Sequence, residues 1–199
     1  VADWDGLTGS FDPNKTYEIK VKVTNTGDEP GKEVVQLYGH APYKAGGIEK
    51  AERVLLDFAK TPLLYPDSQK GEGKPNSAEV VLSFTGYDLA SYDAYDKNSN
   101  GFKGYELENG EYVISVMYNS HDAFESKTAT LSSGVRFEND PVTRKPVGNL
   151  FTADKAYANC PIDGSTAYAS PIDYLSRANK FANYPKASAG TSMDSVVNA

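Results

Sequence analysis

The chain has 199 residues, enough for one domain of ordinary size with a substantial appendage or for two small domains. Its formal net charge of -7, with lysine and arginine dispersed along the chain, argues against a nucleic-acid backbone or an anionic membrane as partner. No apolar run approaches a membrane span, and the first nine residues lack the basic and apolar regions of a signal peptide.

The absence of an initiator methionine makes the chain read as a fragment or a processed form. Its first fourteen residues are polar and turn-rich, with Trp4 and Phe11 as the large apolar groups, and they read as a lead-in segment. From Tyr17 the pattern is that of a half-buried strand. Tyr17, Ile19, Val21 and Val23 alternate with Glu18, Lys20, Lys22 and Thr24. Asn25 to Gly31 supply turn residues, and Val34, Val35, Leu37 and Tyr38 resume an apolar segment. The pair predicts either a β-hairpin or a crossover between two sheets.

Gly39 to Lys50 reads as an exposed loop, and Val54, Leu56 and Phe58 as the inward residues of a third strand ending near Thr61. Leu63 to Ser77 is rich in proline, glycine and asparagine and is expected to be a mobile surface loop. Val80, Leu82 and Phe84 mark a fourth strand. Tyr87 to Tyr95 fits either a short helical turn or irregular structure, and Asp96 to Gly110 reads as a loop. Tyr112, Ile114, Val116 and Tyr118 alternate as the next strand. Lys127 to Phe137 closes the series, with Ala129, Leu131, Val135 and Phe137 inward.

About six or seven strands at this spacing, without helical periodicity, predict an all-β fold. The expected architecture is an antiparallel β-sandwich of immunoglobulin or fibronectin type III kind. Its predicted core is Ile19, Val21, Val23, Val35, Leu37, Val54, Leu56, Phe58, Val80, Leu82, Phe84, Tyr112, Ile114, Val116 and Tyr118. The sandwich is assigned to residues 1–137. Residues 138–199 interrupt proline and glycine with scattered large apolar groups such as Phe151, Ile172, Tyr174 and Phe181, and read as an extended arm lying across a neighbouring surface.

Candidate chemistry is sparse. Asp96, Asn98 and Asn100 with Gly101 match the first half of a calcium loop, but Leu107 stands where the bidentate ligand belongs. The preferred reading is a metal-free Asx-rich turn, and no cofactor is expected. Asp88, Asp93 and Asp96 lie among tyrosines, where a solvated loop is the plainer reading than a paired-carboxylate glycosidase site. Cys160 is the single cysteine, so no intrachain disulfide can form, and neither His40 nor His121 is near it in sequence to activate it as a nucleophile. It permits a reducing compartment without requiring one, which leans towards the cytoplasm and leaves export open. Of the 14 tyrosines, Tyr43, Tyr65, Tyr92, Tyr95 and Tyr105 lie on predicted loops, where exposed rings stack on sugar faces, although packing is the plainer role for most of them.

Seven stretches in order resemble the fibronectin type III-like domain of glycoside hydrolase family 3 enzymes. They are VKVTNTG (21–27), GKEVVQLY (31–38), APYKAGGIEK (41–50), LDFAK (56–60), DLASY (88–92), NGFKGYEL (100–107) and GEYVISVMYNSH (110–121). The segment IDYLSRANKFANYP (172–185) is similar to the connection that leads into the catalytic barrel in members with swapped domain order, with Asn179 departing from an expected acidic residue. The resemblance implies a parent enzyme that hydrolyses oligo- or aryl-β-glycosides with retention, using an aspartate nucleophile on a barrel. No residue here matches that nucleophile's motif. What it implies for this chain is a non-catalytic domain partnered by an α/β sandwich and a barrel of the same polypeptide, with Tyr43, Tyr92 and Tyr95 as candidates to border the substrate. The alternative is a sandwich that binds carbohydrate on its own.

Overall fold

The computed structural model describes residues 2–7, 9–147 and 176–182. By their contacts the residues form two compact units, Val1–Asn149 and Leu150–Ala199. Among the described residues of the first, eleven strands run in chain order: β1 (Ala2–Asp3), β2 (Gly9–Ser10), β3 (Tyr17–Thr24), β4 (Val34–His40), β5 (Val54–Lys60), β6 (Ser77–Phe84), β7 (Ser91–Asp93), β8 (Gly104–Leu107), β9 (Gly110–Met117), β10 (Ala123–Leu131) and β11 (Val135–Phe137). They build a three-stranded sheet β1-β3-β6, a five-stranded sheet β2-β10-β9-β4-β5, and a small sheet β11-β8-β7. The all-β sandwich expected from the sequence is what the chain forms.

The apolar faces of the two larger sheets meet in one core. Ile19, Val21, Val80 and Leu82 come from the first sheet, and Val35, Leu37, Tyr112, Ile114 and Val116 from the second. Burying these side chains drives the fold, since fully burying one large apolar side chain contributes roughly 1.5–3 kcal/mol. Between β3 and β4 the chain therefore crosses from one sheet to the other instead of forming a hairpin. β3 pairs with β6 through its whole length, from Tyr17 opposite Phe84 to Thr24 opposite Ser77.

The lead-in segment is part of this core. β1 pairs antiparallel with β3, and β2 pairs parallel with β10, so one stretch of chain switches sheets. Trp4, Leu7 and Phe11 are buried, Trp4 Nε1 donates to Glu125 Oε1 at 2.8 Å, and the Phe11 ring packs against Tyr17, Phe84 and Tyr112.

Several inward assignments are corrected. Val54, Phe58 and Tyr118 are exposed, and Leu56 and Val23 are only partly buried. A register shift beside Leu37 and Tyr38 puts Asp57 opposite Leu37 and turns Phe58 outward opposite Gln36. The alternation of β5 cannot survive an extra residue. Asp57 then faces the sheet edge, where its Oδ2 accepts the Ser83 N–H of β6 at 2.7 Å. The last predicted strand divides in two: β10 belongs to the five-stranded sheet, and β11 pairs with β8 in the small one. The expected loop Asp96 to Gly110 contains β8, and Tyr87 to Tyr95 contains a 3-10 turn (Tyr87–Leu89) followed by β7.

The connection Leu63 to Ser77, expected to be mobile, is tied at both ends. Leu64 is buried and exchanges backbone hydrogen bonds with Gly31 at 2.8 and 3.0 Å. Asn25 Nδ2 donates to the Glu29 and Leu64 carbonyls, and Asn76 Nδ2 to those of Asn25 and Tyr65.

In the second unit the described residues make one 3-10 turn, Arg177–Asn179, in which the Ser176 hydroxyl accepts the Ala178 N–H at 3.1 Å. Cys160, Phe151, Ile172 and Tyr174 lie outside the described residues, as does most of the stretch similar to a barrel connection.

Candidate functional site

Of the expected site residues, Tyr43 lies on the β4–β5 loop, whereas Tyr92, expected on a loop, lies in β7; a buried ion pair stands near them. Lys50, at the end of the β4–β5 loop, donates to Glu108 Oε2 at 2.7 Å, and their side chains are only 6% and 7% exposed. Glu108 stands on the tight β8–β9 turn, where Gly110 adopts φ 143° and Pro42 lies so close that a Cβ at Gly110 would sit 2.9 Å from its ring. Only glycine fits both demands. Tyr112 anchors the same turn by donating its hydroxyl to the Glu108 carbonyl at 2.8 Å. Burial, reinforced by the Glu108 charge, holds the Tyr112 phenol well above its ordinary pKa.

Tyr43 and Tyr92 flank this junction. The Tyr43 hydroxyl donates to Glu49 Oε2 at 3.2 Å. Tyr92 helps to line a depression of about 200 Å³ with Glu49, Lys50, Leu89 and Ser91. Its ring packs edge-on against Tyr105 at 4.9 Å, and Tyr105 in turn meets Tyr87, which stands edge-on to Phe137. The sequence put Tyr105 on a loop and Tyr87 among half-buried rings, but the contacts between them follow from the pairing of β7, β8 and β11, which is not local. The Tyr87 phenol is raised by burial first, then by Tyr105 and Asp140. Tyr95 is 37% exposed, with the Lys97 ammonium 6.0 Å from its ring centre.

The candidate calcium residues form a folded Asx-turn system. Asp96 Oδ1 accepts the Asn100 and Gly101 N–H groups at 2.8 and 3.1 Å, Asn98 Oδ1 accepts that of Asn100 at 3.2 Å, and Asn100 Oδ1 that of Phe102 at 2.8 Å. These oxygens thus serve backbone donors. Two buried carboxylates complete the loop. Asp93 accepts the Tyr95 and Lys97 N–H groups at 3.0 and 2.6 Å, and Glu106 Oε2 accepts the side-chain amides of Asn98 and Asn100. Glu106 Oε1 is buried without a hydrogen-bond partner. Among the described residues no three His, Cys, Asp or Glu side chains gather as a metal site. Glu106 and Glu108 flank Leu107, the twelfth position of the candidate calcium loop, and both are buried acceptors. Their role as buried acceptors leaves no short-range sequence signal, since it depends on the strand that carries them.

The arrangement ties a loop pair together through a buried ion pair and places tyrosine rings beside it. It does not set two carboxylates across an open cleft: Asp93 is buried, and the Asp88 carboxylate accepts the Thr85 N–H and hydroxyl at 2.7 and 2.8 Å.

No family model matches the chain. It is 37% identical over 115 residues to a β-glucosidase of Ruminococcus albus, a match of 58% of this chain and 11% of that protein. It is 45% identical over 92 residues to β-glucosidase A of Butyrivibrio fibrisolvens, covering 46% of this chain and 10% of the relative. Among solved structures, a β-glucosidase from Paenibacillus barengoltzii superposes on 67% of this chain with a TM-score of 0.53 and 33% identity, using 14% of its own length. β-Glucosidase 3B of Thermotoga neapolitana, solved with glycerol, covers 69% of this chain at a TM-score of 0.50 and 34% identity, with 16% of its length. The chain thus spans about a tenth of the curated relatives it matches. The resemblance drawn from its sequence to one domain of β-glucosidases is borne out.

Proposed function

We propose that the chain is a non-catalytic domain of a β-glucosidase-like glycoside hydrolase of family 3, a fibronectin type III-like sandwich that braces the catalytic domains of its own polypeptide. The observation that carries this reading is the extent of the match: a self-contained sandwich aligned with a tenth of enzymes named β-glucosidases. The locked carboxylates of the loop end support it. A retaining glycosidase needs two carboxyl groups about 5–5.5 Å apart and open to a sugar. Asp93 instead accepts backbone N–H groups through both oxygens, Asp88 Oδ2 accepts the Thr85 N–H and hydroxyl, and Glu106 Oε2 accepts side-chain amides while its Oε1 lies buried. The partners in this reading are an α/β sandwich and a barrel, and the parent's substrates are oligo- or aryl-β-glycosides.

The test compares three preparations on an aryl β-glucoside: the whole polypeptide encoded by the reading frame, the same polypeptide without residues 1–137, and the present chain. The whole polypeptide is expected to turn over, the deletion to lose activity together with thermal stability, and the present chain to be inert. Sustained turnover by the present chain, or a deletion as active and stable as the parent, would overturn the reading.

The exposed Tyr95 and the cluster around Tyr92 favour one alternative, a sandwich that binds carbohydrate by itself. That alternative requires measurable affinity of the present chain for a β-linked gluco-oligosaccharide, weakened by Tyr92→Ala or Tyr95→Ala.

A further inference from the structure

The strand that follows the Asx-turn system decides what that loop can hold. In β8 successive side chains point to opposite faces, and Leu107 is 1% exposed because it packs in the sandwich core. Alternation therefore sends Glu106 the other way. There it meets the loop of residues 96–102, where Glu106 Oε2 accepts the side-chain amides of both Asn98 and Asn100. Spacing along the chain set Leu107 at the place of a calcium loop's closing carboxylate, one residue beyond the carboxylate that the strand delivers.

One oxygen of this carboxylate lacks a partner. Glu106 is 3% exposed, and its Oε1 is, among the described residues, the one buried side-chain nitrogen or oxygen without a hydrogen bond. A buried carboxylate oxygen with neither donor nor cation carries a large desolvation cost. Arg136 stands opposite Glu106 in the β8–β11 pairing and is the nearest counter-charge by register. Its Nη2 nevertheless donates to the Asn100 carbonyl, and its guanidinium lies 5.6 Å from the Phe102 ring centre.

The oxygens facing Glu106 suit a hard cation. Asp96, Asn98, Asn100 and Gly101 hold the first, third, fifth and sixth places of the loop, and Gly101 makes the sharp turn with φ 80°. Asp96 Oδ1 and Asn98 Oδ1 both accept the Asn100 N–H, so these two side chains converge on one donor. Asp96 Oδ2, Asn98 Oδ1 and Asn100 Oδ1 each accept a single N–H and keep a lone pair for a second partner. No three His, Cys, Asp or Glu side chains gather among the described residues, so the donor set is two carboxylates and two amide carbonyls. Oxygen donors alone favour calcium over zinc, and a loop of this kind meets calcium's flexible coordination more readily than magnesium's strict octahedron.

We propose that residues 96–101 and Glu106 bind one calcium ion, with Glu106 as the closing carboxylate and Asp96, Asn98 and Asn100 supplying the other side-chain oxygens. The ion gives Glu106 Oε1 its partner and fastens the loop to β8. Only two of the ligands are charged, which places the affinity in the weak range, about 10⁻⁴–10⁻³ M.

The test titrates calcium into the chelator-treated chain by calorimetry and compares melting temperatures in EDTA and in calcium. One ion per chain is expected, with a rise in melting temperature on the order of 5 °C at about 10 mM calcium. Glu106→Gln keeps the side chain's shape and an acceptor for the Asn98 and Asn100 amides, and should weaken binding by about 10-fold or more. Asp96→Asn retains an oxygen for the turn's N–H groups and should do the same, which keeps the test intact if Glu106→Gln fails to fold. Glu111→Gln, at an exposed position of β9, should leave the titration unchanged. Absence of both heat and melting shift in the parent chain overturns the proposal and leaves Glu106 Oε1 to a proton or a buried water. A shift of equal size in Glu106→Gln and Asp96→Asn overturns it as well, since calcium then acts on the acidic surface at large. Neither readout depends on turnover, so the outcome is separate from that of the bracing role.

Discussion

Lys50 and Glu108 illustrate how a single buried pair can set the geometry of a loop end. Each charge is withdrawn from water, a cost that their 2.7 Å contact offsets only while both are present. Lys50→Met alone is therefore expected to destabilise the domain by about 3–5 kcal/mol, because it strands the Glu108 carboxylate. Adding Glu108→Leu should recover most of that loss. Denaturant midpoints of the two variants check this, and a double variant no more stable than the single one would contradict it. Tyr112 adds a pH signature. Its phenol keeps its proton more firmly when folded than its unfolded value of about 10, so the folded state holds a proton that the unfolded state releases above that pH. The stability tied to this group is complete below pH 10 and declines as pH rises beyond it. Tyr112→Phe is expected to flatten the alkaline decline seen in melting temperatures between pH 9 and 11, while weakening the domain near neutrality through the lost bond to the Glu108 carbonyl.

At the scale of elements, clean alternation was legible wherever one face of a strand met one core. β3, β6 and β9 follow the residues that announced them, apart from the end at Val23 and Tyr118. β5 shows why such a reading fails: one extra residue opposite Leu37 and Tyr38 exchanges its faces, and no local feature of VLLDFAK reveals the partner strand's register. β7, β8 and β11, at three or four residues each, are too short to display a period, and they exist because they pair with one another. The 3-10 turn at Tyr87 depends on close approach as well. At Gly86 an added Cβ would stand 2.5 Å from the Pro13 carbonyl oxygen and 2.8 Å from its Cα, both backbone atoms that cannot swing aside. Gly86→Ala is therefore expected to cost about 1–3 kcal/mol, although its φ of -60° suits alanine. A thermal melt unchanged from the parent would show that the Asp12 to Asn14 turn yields freely.

For the whole molecule, strand-like alternation at regular spacing pointed to a sandwich, and the resemblance of seven ordered stretches to a known enzyme domain pointed to the β-glucosidases. Period-two burial and turn chemistry are properties of neighbouring residues, and so they can be read from the chain itself. Tertiary structure alone decided the rest. It placed Trp4 and Phe11 in the core, carried β1 and β2 to different sheets, and made Glu106 and Glu108 buried acceptors. It also left Val23 half open at a groove that the alternation of β3 had filled on paper. The physical reason is common to all of these: a side chain's alternation says which way it faces, but what it meets there depends on strands far away in sequence, and their register is settled only when the sheets close on each other.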